Sequence, residues 1–259
     1  MDNYRIFDAH AHYDHEAYDE DRDTVIKELI NNDIVGVLNC GASFKGSEDS
    51  VKFSEKYDIF YAAVGIHPEE VNEFDKTTLE KLEALAQNKK VRAIGEIGLD
   101  YFHKDNPPKE LQKSVFIKQM ELAQKLKLPV IIHDRDAHAD TLNIIKNFSS
   151  VVGEIHCFSG SSEFAKECIK LGYFIGFTGV VTFKNAKKII EVAKQIPIDR
   201  LVVETDCPYM APEPYRGKRN NSRYIKEIID KIAEIKGISP FEICKKTVDN
   251  TMNLLNLKK

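Results

Sequence analysis

The chain of 259 residues carries a formal net charge of -4, and its composition of 42% hydrophobic and 30% charged residues excludes an intrinsically disordered protein. The negative charge argues against a protein whose main task is to coat nucleic acid. Five widely spaced cysteines without a CxxC pair exclude a disulfide framework and a cysteine zinc site. Because the sequence has neither an apolar run of roughly 18 residues nor a signal-peptide pattern, it predicts a cytoplasmic protein that does not enter the membrane.

Short β-branched and apolar runs alternate with longer amphipathic segments from one end of the chain to the other. The amphipathic segments have apolar residues at three- and four-residue spacing, which is typical of helices that cover a sheet. Eight runs are predicted strands, and they begin at Arg5, Ile34, Ile59, Val91, Pro129, Val152, Tyr173 and Leu201. Strands that alternate with helices predict a parallel sheet, and eight such units favour a (β/α)8 barrel over an open doubly wound sheet.

Two further helical segments follow the eighth predicted strand and can close the outer ring of helices. They read NSRYIKEIIDKIAEIKG and SPFEICKKTVDNTMNLLNL. No linker, low-complexity segment or break in composition divides the chain. The sequence therefore predicts an α/β protein, a single-domain (β/α)8 TIM barrel over residues 1–259 with an extra C-terminal helix.

The first predicted strand contains two histidines one residue apart, in the run FDAHAHY. Because side chains alternate along a strand, Asp8, His10 and His12 are expected on one face, with the phenylalanine and alanines between them turned toward the helix layer. Both imidazoles would then project into the mouth of the barrel, where the active sites of such barrels lie. The pair alone is equally compatible with one hydrogen-bonded core histidine and one surface histidine. Asp8 lies deeper, and it is expected to support the histidines by a hydrogen bond or to be satisfied by the backbone.

Four other predicted strand ends carry polar residues that have no role in an apolar core. They are Glu96 in GEIGLDY, His133 in VIIHD, His156 in GEIHCF and Asp206 in VETDCPY. A lone buried carboxylate costs on the order of several kcal/mol unless it is paired or binds a cation. A metal centre explains these four residues and the two histidines together, and nitrogen with carboxylate oxygen suits Zn, Mn, Fe, Co or Ni. Six ligands exceed the number that one tetrahedral ion uses, which favours two ions bridged by a carboxylate.

Six motifs occur in chain order between Arg5 and about Asn221, namely FDAHAHYD, AVGIHPE, GEIGLDY, PVIIHDRDA, IHCFSG and VETDCPYMAPEPYRGKRN. Together they resemble the TatD family of metal-dependent deoxyribonucleases, within the wider amidohydrolase-like barrels. The resemblance implies a (β/α)8 barrel that binds two divalent cations (Zn, Mn, Mg, Ni or Co). It also implies that one cation is held by His10, His12, Glu96 and Asp206, and the other by Glu96, His133 and His156. Related barrel hydrolases bridge their metals with a modified lysine after the fourth strand, so Glu96 at that place favours the nuclease branch.

Two neighbouring cations can clamp a phosphodiester and stabilise both its attacking and its leaving oxygen. We therefore expect a divalent-metal-dependent hydrolase that cleaves phosphodiester bonds in nucleic acid, a deoxyribonuclease of exonuclease type that acts by attack of a metal-bound hydroxide. Asp206 and Glu96 are the expected catalytic residues, with Asp206 orienting the attacking water and accepting its proton. The alternative is an ester or amide hydrolase of lactonase or aminoacyl-ester type, since the same site attacks a carbonyl carbon. A noncatalytic binding protein is not expected to retain a complete set of ligands.

The expected substrate contacts lie outside the metal ligands. Arg216, Lys218 and Arg219 form the densest basic cluster next to the site, and an arginine fork suits a phosphate oxygen, although a solvated loop has the same composition. In the family, the position of His67 faces the substrate. Tyr101 is expected to stack on an unpaired base or to belong to an aromatic lid. The expected partners are DNA or RNA ends, with no membrane and no obligate protein partner, and the protein is expected to be a monomer.

Overall fold

Eight parallel strands follow one another in chain order around a barrel in the computed structural model, which describes residues 4–257. The strands are β1 (Ile6–Ala11), β2 (Ile34–Cys40), β3 (Phe60–Val64), β4 (Val91–Asp100), β5 (Val130–Arg135), β6 (Gly153–Ile155), β7 (Phe174–Phe177) and β8 (Leu201–Val203). The barrel closes where the segment after β8 meets the end of β1. There the His12 amide donates to the Cys207 carbonyl oxygen at 2.9 Å, and the Asp206 amide donates to that of His10 at 3.0 Å.

Helices cover the outside of the sheet and separate consecutive strands. Within residues 4–257 the α-helices are α1 (Arg22–Ile30), α2 (Phe44–Lys56), α3 (Lys76–Leu85), α4 (Lys109–Leu126), α5 (His138–Lys146), α6 (Ser162–Lys170), α7 (Lys187–Gln195), α8 (Ile225–Lys236) and α9 (Pro240–Leu254). α8 completes the ring, and α9, which packs against β1 and β8, is the extra C-terminal helix. The predicted (β/α)8 barrel is confirmed. None of the helices in the described part of the chain has the length and apolar character needed to span a membrane.

The interior of the barrel is apolar at the end where the strands begin. Side chains from seven strands pack there with the C-terminal end of α9, and the cluster consists of Phe7, Ala9, Leu38, Cys40, Ala63, Ala93, Ile131, Phe174, Val202, Leu254 and Leu255. Burying these side chains stabilises the barrel by roughly 25 cal/mol for each Å² of apolar surface removed from water. Because α9 covers this end, the opposite end, at the carboxyl ends of the strands, is the one that stays open.

β1 departs from the simple alternation that its sequence predicts. Phe7 stacks on Tyr61 of β3, with ring centroids 5.8 Å apart, and packs with Ala9 in the interior cluster. The register with β2 shifts between Asp8 and Ala11, so that β1 takes an extra residue there. The prediction that Asp8 shares a face with the two histidines is therefore wrong, as is the prediction that Phe7 and Ala9 face the helices. The irregularity returns the histidines to the interior, because it reverses the alternation once within the strand.

β4 and β5 approach each other closely beside the candidate site. Gly98 pairs in register with His133, and a Cβ atom on Gly98 would lie 2.0 Å from the His133 carbonyl oxygen. Gly98 also has a φ of +142°, which residues with a side chain rarely adopt. Only glycine therefore allows the backbone of His133 to lie this close to β4.

Candidate metal centre

The carboxyl ends of the strands open into a cavity of about 770 Å³, and the six predicted metal ligands meet at its floor. The cavity wall includes His12, Glu96, His133, His156 and Asp206, whereas His10 is fully buried beneath them. These residues lie in β1, β4 and β5 or in the segments that follow β1, β6 and β8. The structure thus brings together all six residues that the sequence singled out.

Glu96 lies at the centre of this group, and its two carboxylate oxygens face different histidines. Oε2 lies 3.4 Å from Nε2 of His10 and 3.5 Å from Nε2 of His12. Oε1 lies 2.9 Å from Nδ1 of His133 and 3.7 Å from Nε2 of His156. A carboxylate in this position can offer one oxygen to each of two cations, as a bridging ligand does.

The imidazoles of His10 and His12 converge, with their Nε2 atoms 2.9 Å apart. Asp206 Oδ1 lies 3.5 Å from Nε2 of His12 and 3.9 Å from Nε2 of His10. The Nδ1 atom of His12 donates to the Cys40 carbonyl oxygen at 2.8 Å, so a neutral His12 keeps its lone pair on Nε2. Imidazole nitrogen together with carboxylate oxygen is a donor set that suits a divalent transition-metal cation. The residues present therefore fit a cation at this position.

Buried carboxylates orient the other two histidines. His156 donates through Nδ1 to Glu204 Oε2 at 2.6 Å, so a neutral His156 would turn the lone pair of its Nε2 atom toward Glu96. His133 lies between two carboxylates, with Nδ1 toward Glu96 and Nε2 3.0 Å from Asp100 Oδ2. Carboxylates that fix ring orientation in this way commonly surround metal-binding histidines.

The same carboxylates shift the pKa values of the rings. Burial alone would lower the pKa of His12, but the hydrogen bond to Asp206 and the charge of Glu96 outweigh burial and raise the pKa to about 9. Burial likewise opposes protonation of His133, and hydrogen bonds to Asp100 and Glu96 raise its pKa to about 9. Rings with these pKa values carry a proton at neutral pH, and a cation that binds the same nitrogen must displace it.

Cation binding is therefore expected to release protons and to tighten as the pH rises from about 6 to about 9. His12 and His133 are protonated below their pKa of about 9 and neutral above it, so the competing proton is lost as the pH passes through that value. Calorimetric titration of metal-free protein with Mn²⁺ or Zn²⁺, in buffers of different ionisation enthalpy, measures the number of protons released. An affinity that stays constant across this pH range would contradict the prediction.

His67 follows β3 and lies on the cavity wall, with its Nε2 atom 3.6 Å from Oε1 of Glu96. Burial first, and the charge of His133 second, lower the pKa of His67 to about 3, so the ring is neutral at physiological pH. Its Nδ1 atom accepts a hydrogen bond from the backbone amide of Glu69. A neutral ring whose Nδ1 accepts carries its proton on Nε2, which makes His67 a hydrogen-bond donor toward Glu96 and the cavity. His67 also lies close enough to Glu96 and His133 for the three to hold a cation. The substrate-facing role expected for His67 stays a prediction, and this geometry is compatible with it.

Asp206 and Cys157 adopt left-handed backbone conformations, with φ of 54° and 42°. Non-glycine residues keep such conformations only where their surroundings hold them. Asp206 is held in this conformation through the preceding residue, Thr205. The amide and the hydroxyl of Thr205 donate to the buried Asp8 carboxylate at 2.9 and 2.6 Å. Asp8 also accepts the amide of His10 at 3.3 Å. Asp8 therefore ties the segment that carries Asp206 to β1, and it supports the histidines through backbone rather than through their rings.

The basic cluster predicted to contact phosphate lies outside the cavity wall. Arg219 forms an ion pair with Asp21 at 2.6 Å. The guanidinium of Arg216 lies 4.3 Å from the ring centroid of Phe183, and Lys218 lies over a tyrosine ring. None of the three basic residues belongs to the wall as the described residues form it. Their contact with substrate stays a prediction that their positions do not favour.

Tyr101 is also occupied by contacts within the protein. Its hydroxyl donates to Asp140 at 2.8 Å, and the ammonium of Lys109 lies 4.1 Å from its ring centroid. The neighbouring Phe102 is 52% exposed and offers the larger free aromatic surface. Base stacking on Tyr101 stays a prediction, and the structure gives Phe102 the more accessible ring.

The cavity wall contains two cations that the sequence analysis did not single out, Arg135 and Lys188. Arg135 ends β5 two residues after His133, and the run HDR could have revealed it because residues two apart on a strand share a face. Lys188 lies in the first turn of α7. Nothing in the run NAKKIIEVAKQI distinguishes Lys188 from the solvated lysines beside it.

Comparison with known proteins agrees with this architecture. The family model described as TatD related DNase matches residues 7–256. A Bacillus subtilis protein named uncharacterized metal-dependent hydrolase YabD is 42% identical over 254 residues, covering 97% of this chain and 99% of the relative. A Citrobacter koseri protein named 3'-5' ssDNA/RNA exonuclease TatD is 30% identical over 259 residues, with 97% and 99% of the two chains covered.

A solved structure supports the same relationship. The crystal structure of YJJV, a TatD homologue from Escherichia coli, matches with a TM-score of 0.92 and 29% identity over 100% of both chains. The match extends over all eight strands and the extra C-terminal helix, because it covers the whole chain. With a family model over almost its entire length and close relatives of the same extent, the chain belongs to the TatD family of metal-dependent hydrolases.

Proposed function

We propose that the protein is a phosphodiesterase that removes nucleotides from nucleic-acid ends, with DNA as the main substrate and two divalent cations bound at the cavity floor. The observation that carries this proposal is the position of Glu96, whose two oxygens lie among two different sets of ligand atoms. The first set is His10, His12 and Asp206. The second set, around Oε1, is His133 and His156, and His67 lies near the same oxygen. Two cations that share a carboxylate suit displacement at phosphorus, because both the attacking and the leaving oxygen are stabilised.

When bound by these residues, the cations would supply Lewis-acid stabilisation of the phosphoryl oxygens and would lower the pKa of water. The protein's own side chains orient the water and the substrate and accept the proton. Burial would raise the pKa of Asp206, but the hydrogen bond to His12 and the charge of His156 hold it below its usual range. Asp206 is therefore ionised at neutral pH and accepts the proton of the attacking water. His67 donates from Nε2 to a phosphate oxygen, at the side of the cavity where Glu96 Oε1 lies.

Two observations support a nucleic-acid substrate. A relative of the same length is named 3'-5' ssDNA/RNA exonuclease. The cavity is large for a single phosphate group, at about 770 Å³, and its wall carries the cations Arg135 and Lys188. The alternative, hydrolysis of a lactone or an aminoacyl ester, is supported by an apolar part of the wall that an acyl chain would fill, formed by Val180, Val181, Ile189 and Met210.

The proposal is tested with single-stranded DNA, double-stranded DNA and RNA, each labelled at the 5′ or the 3′ end. With Mg²⁺, Mn²⁺ or Zn²⁺ present, we expect a ladder of products that are shortened stepwise from one end. We expect no cleavage in the presence of EDTA. The Asp206→Asn variant, purified in the same way, controls for contaminating nucleases. Inertness toward all three nucleic acids, together with rapid hydrolysis of a lactone or an aminoacyl ester, would replace this proposal by the alternative.

A further inference from the structure

We infer that Arg135 and Lys188 form a subsite for the phosphate group next to the one that is cleaved. This inference rests on the proposed function and deepens it, since it assigns the substrate a chain of at least two phosphates. Both residues line the cavity that holds the candidate metal centre. Neither has a carboxylate partner among the ion pairs of residues 4–257.

The backbone spacing of Arg135 and His133 on β5 suits two neighbouring phosphates. Arg135 follows His133 by two residues on β5, so both side chains lie on the same face of the strand, with Cα atoms about 7 Å apart. Successive phosphates of an extended single strand are separated by a comparable distance. A phosphate held at the metal centre beside His133 would therefore leave the next phosphate on the part of the wall where Arg135 lies.

The guanidinium of Arg135 is held in place by a ring and not by a close ion pair, although the charge of Asp100 acts on it from nearby. Its central carbon lies 3.7 Å from the ring centroid of Phe102, and one nitrogen lies 3.4 Å from Nε2 of His103. Stacking on an aromatic ring leaves the N–H groups at the edge of the guanidinium free to donate. An arginine fixed in this way loses little conformational freedom when it binds a phosphate oxygen in a bidentate manner.

Lys188 reaches the wall of the same cavity from α7. Its ammonium donates to the Ser159 carbonyl oxygen at 2.8 Å, and the Ser159 hydroxyl donates to the Asp134 carbonyl oxygen at 3.5 Å. Asp134 precedes Arg135 in β5, so Ser159 links the two cations. An ammonium has three donors, and the contact with Ser159 uses one of them.

The charges on the remaining wall give the bound strand a direction. Asp14 follows β1 and Glu69 lies in the 3₁₀ helix after β3, and both line the opposite side of the cavity. On the side of β5 and α7 the wall carries the carboxylates Asp100 and Asp134 as well as Arg135 and Lys188. The attraction for a polyanion is therefore local to the two cations. The loop after β8 offers less attraction, because the charge of Arg219 is already paired with that of Asp21.

The test compares a substrate that has a neighbouring phosphate with one that has none. Single-stranded oligonucleotide is used beside bis(p-nitrophenyl) phosphate, with the Arg135→Gln/Lys188→Gln double variant. The double variant is expected to lose at least about tenfold more in kcat/KM on the oligonucleotide than on the small diester. The slope of log(kcat/KM) against log salt concentration is expected to decrease by roughly 0.7 for each phosphate contact that is lost.

A matched control removes two charges at the far end of the barrel. Lys125→Gln/Lys170→Gln serves for this purpose, because both lysines are exposed near the C-terminal ends of α4 and α6. Affinity for the oligonucleotide is also measured by fluorescence anisotropy in the Asp206→Asn background. We expect binding at least about tenfold weaker with the double variant than with the control.

Three outcomes would overturn the inference, and they differ from one another. The double variant and the control could have equal affinity for the oligonucleotide and an equal ratio of kcat/KM on the oligonucleotide to kcat/KM on the small diester. This outcome would refute the subsite and leave the proposed function intact. A selective loss in Arg216→Gln/Lys218→Gln instead would move the subsite to the loop after β8. An unmodified protein that cleaves neither phosphodiester would remove the proposed function, and the subsite with it.

Discussion

Replacing Glu96 by Gln is expected to lower kcat on labelled DNA by on the order of a thousandfold or more. One oxygen of Glu96 faces His10 and His12, and the other faces His133. Glutamine has nearly the same size, but its amide nitrogen donates hydrogen bonds and does not bind a cation. The variant is therefore expected to provide an oxygen ligand to one of the two cations at most. We expect the number of tightly bound divalent cations, measured by mass spectrometry after dialysis, to fall together with kcat.

The matched control for this variant is Glu163→Gln. Glu163 is an exposed residue in the first turn of α6, so its replacement changes the net charge equally without touching the cavity. Circular dichroism and the Tm of both variants separate a loss of cations from a loss of fold. Retention of both cations and of turnover within about tenfold of the unmodified protein would refute the bridging role of Glu96.

Replacing Asp206 by Asn is expected to lower kcat by on the order of a hundredfold to ten-thousandfold while leaving most of the affinity for nucleic acid. Asp206 has a φ of 54°, and asparagine tolerates this left-handed conformation better than other residues with a side chain. The backbone is therefore expected to keep its position beside β1. An amide cannot accept the proton of the attacking water, so the loss should fall on kcat. Single-turnover cleavage and anisotropy binding with the same oligonucleotide measure the two effects.

Asp230→Asn is the control for this prediction, because Asp230 is exposed on α8. Metal content is measured for each variant, since Asp206 Oδ1 also lies near His10 and His12. Turnover within about tenfold of the control would exclude Asp206 as the proton acceptor. A parallel loss of bound metal, nucleic-acid affinity and turnover would indicate that Asp206 acts only as a metal ligand.

The residues of the metal centre could be predicted from the sequence because each of them is a polar residue within or directly after an apolar run, and Glu96 interrupts the run of β4. In a parallel barrel the carboxyl ends of all strands meet at one end, so Glu96 and His133 come together without any knowledge of side-chain contacts. The period of the helical segments and the number of apolar runs likewise predict the fold. These inferences need only patterns that are local in the chain.

The orientation of residues within β1 could not be predicted in the same way. Alternation assumes an uninterrupted register, and the extra residue between Asp8 and Ala11 is set by pairing with β2. Both histidines point inward as expected, but the expected reason is wrong. Phe7 shares the interior of the barrel with them, in the apolar part toward the beginning of the strands.

The positively charged side chains of the cavity wall were not predicted from the sequence either. The density of positive charge along the chain pointed to Arg216, Lys218 and Arg219, which the fold turns away from the wall. Arg135 and Lys188 are far apart in the chain, and only the barrel brings β5 and α7 to the same side of the opening. Charge density along a sequence does not reveal which charges the fold neutralises.

By itself, the sequence determined that this protein is a (β/α)8 barrel with His10, His12, Glu96, His133, His156 and Asp206 at its open end. Both conclusions follow from apolar periodicity and from polar residues at strand ends. Only the tertiary structure decided that Glu96 divides its oxygens between two sets of histidines, that Nδ1 of His67 accepts a backbone hydrogen bond, and that Arg135 and Lys188 line the cavity without an ion pair among residues 4–257. These properties depend on hydrogen-bond and charge partners that are distant in the chain and meet only when it folds.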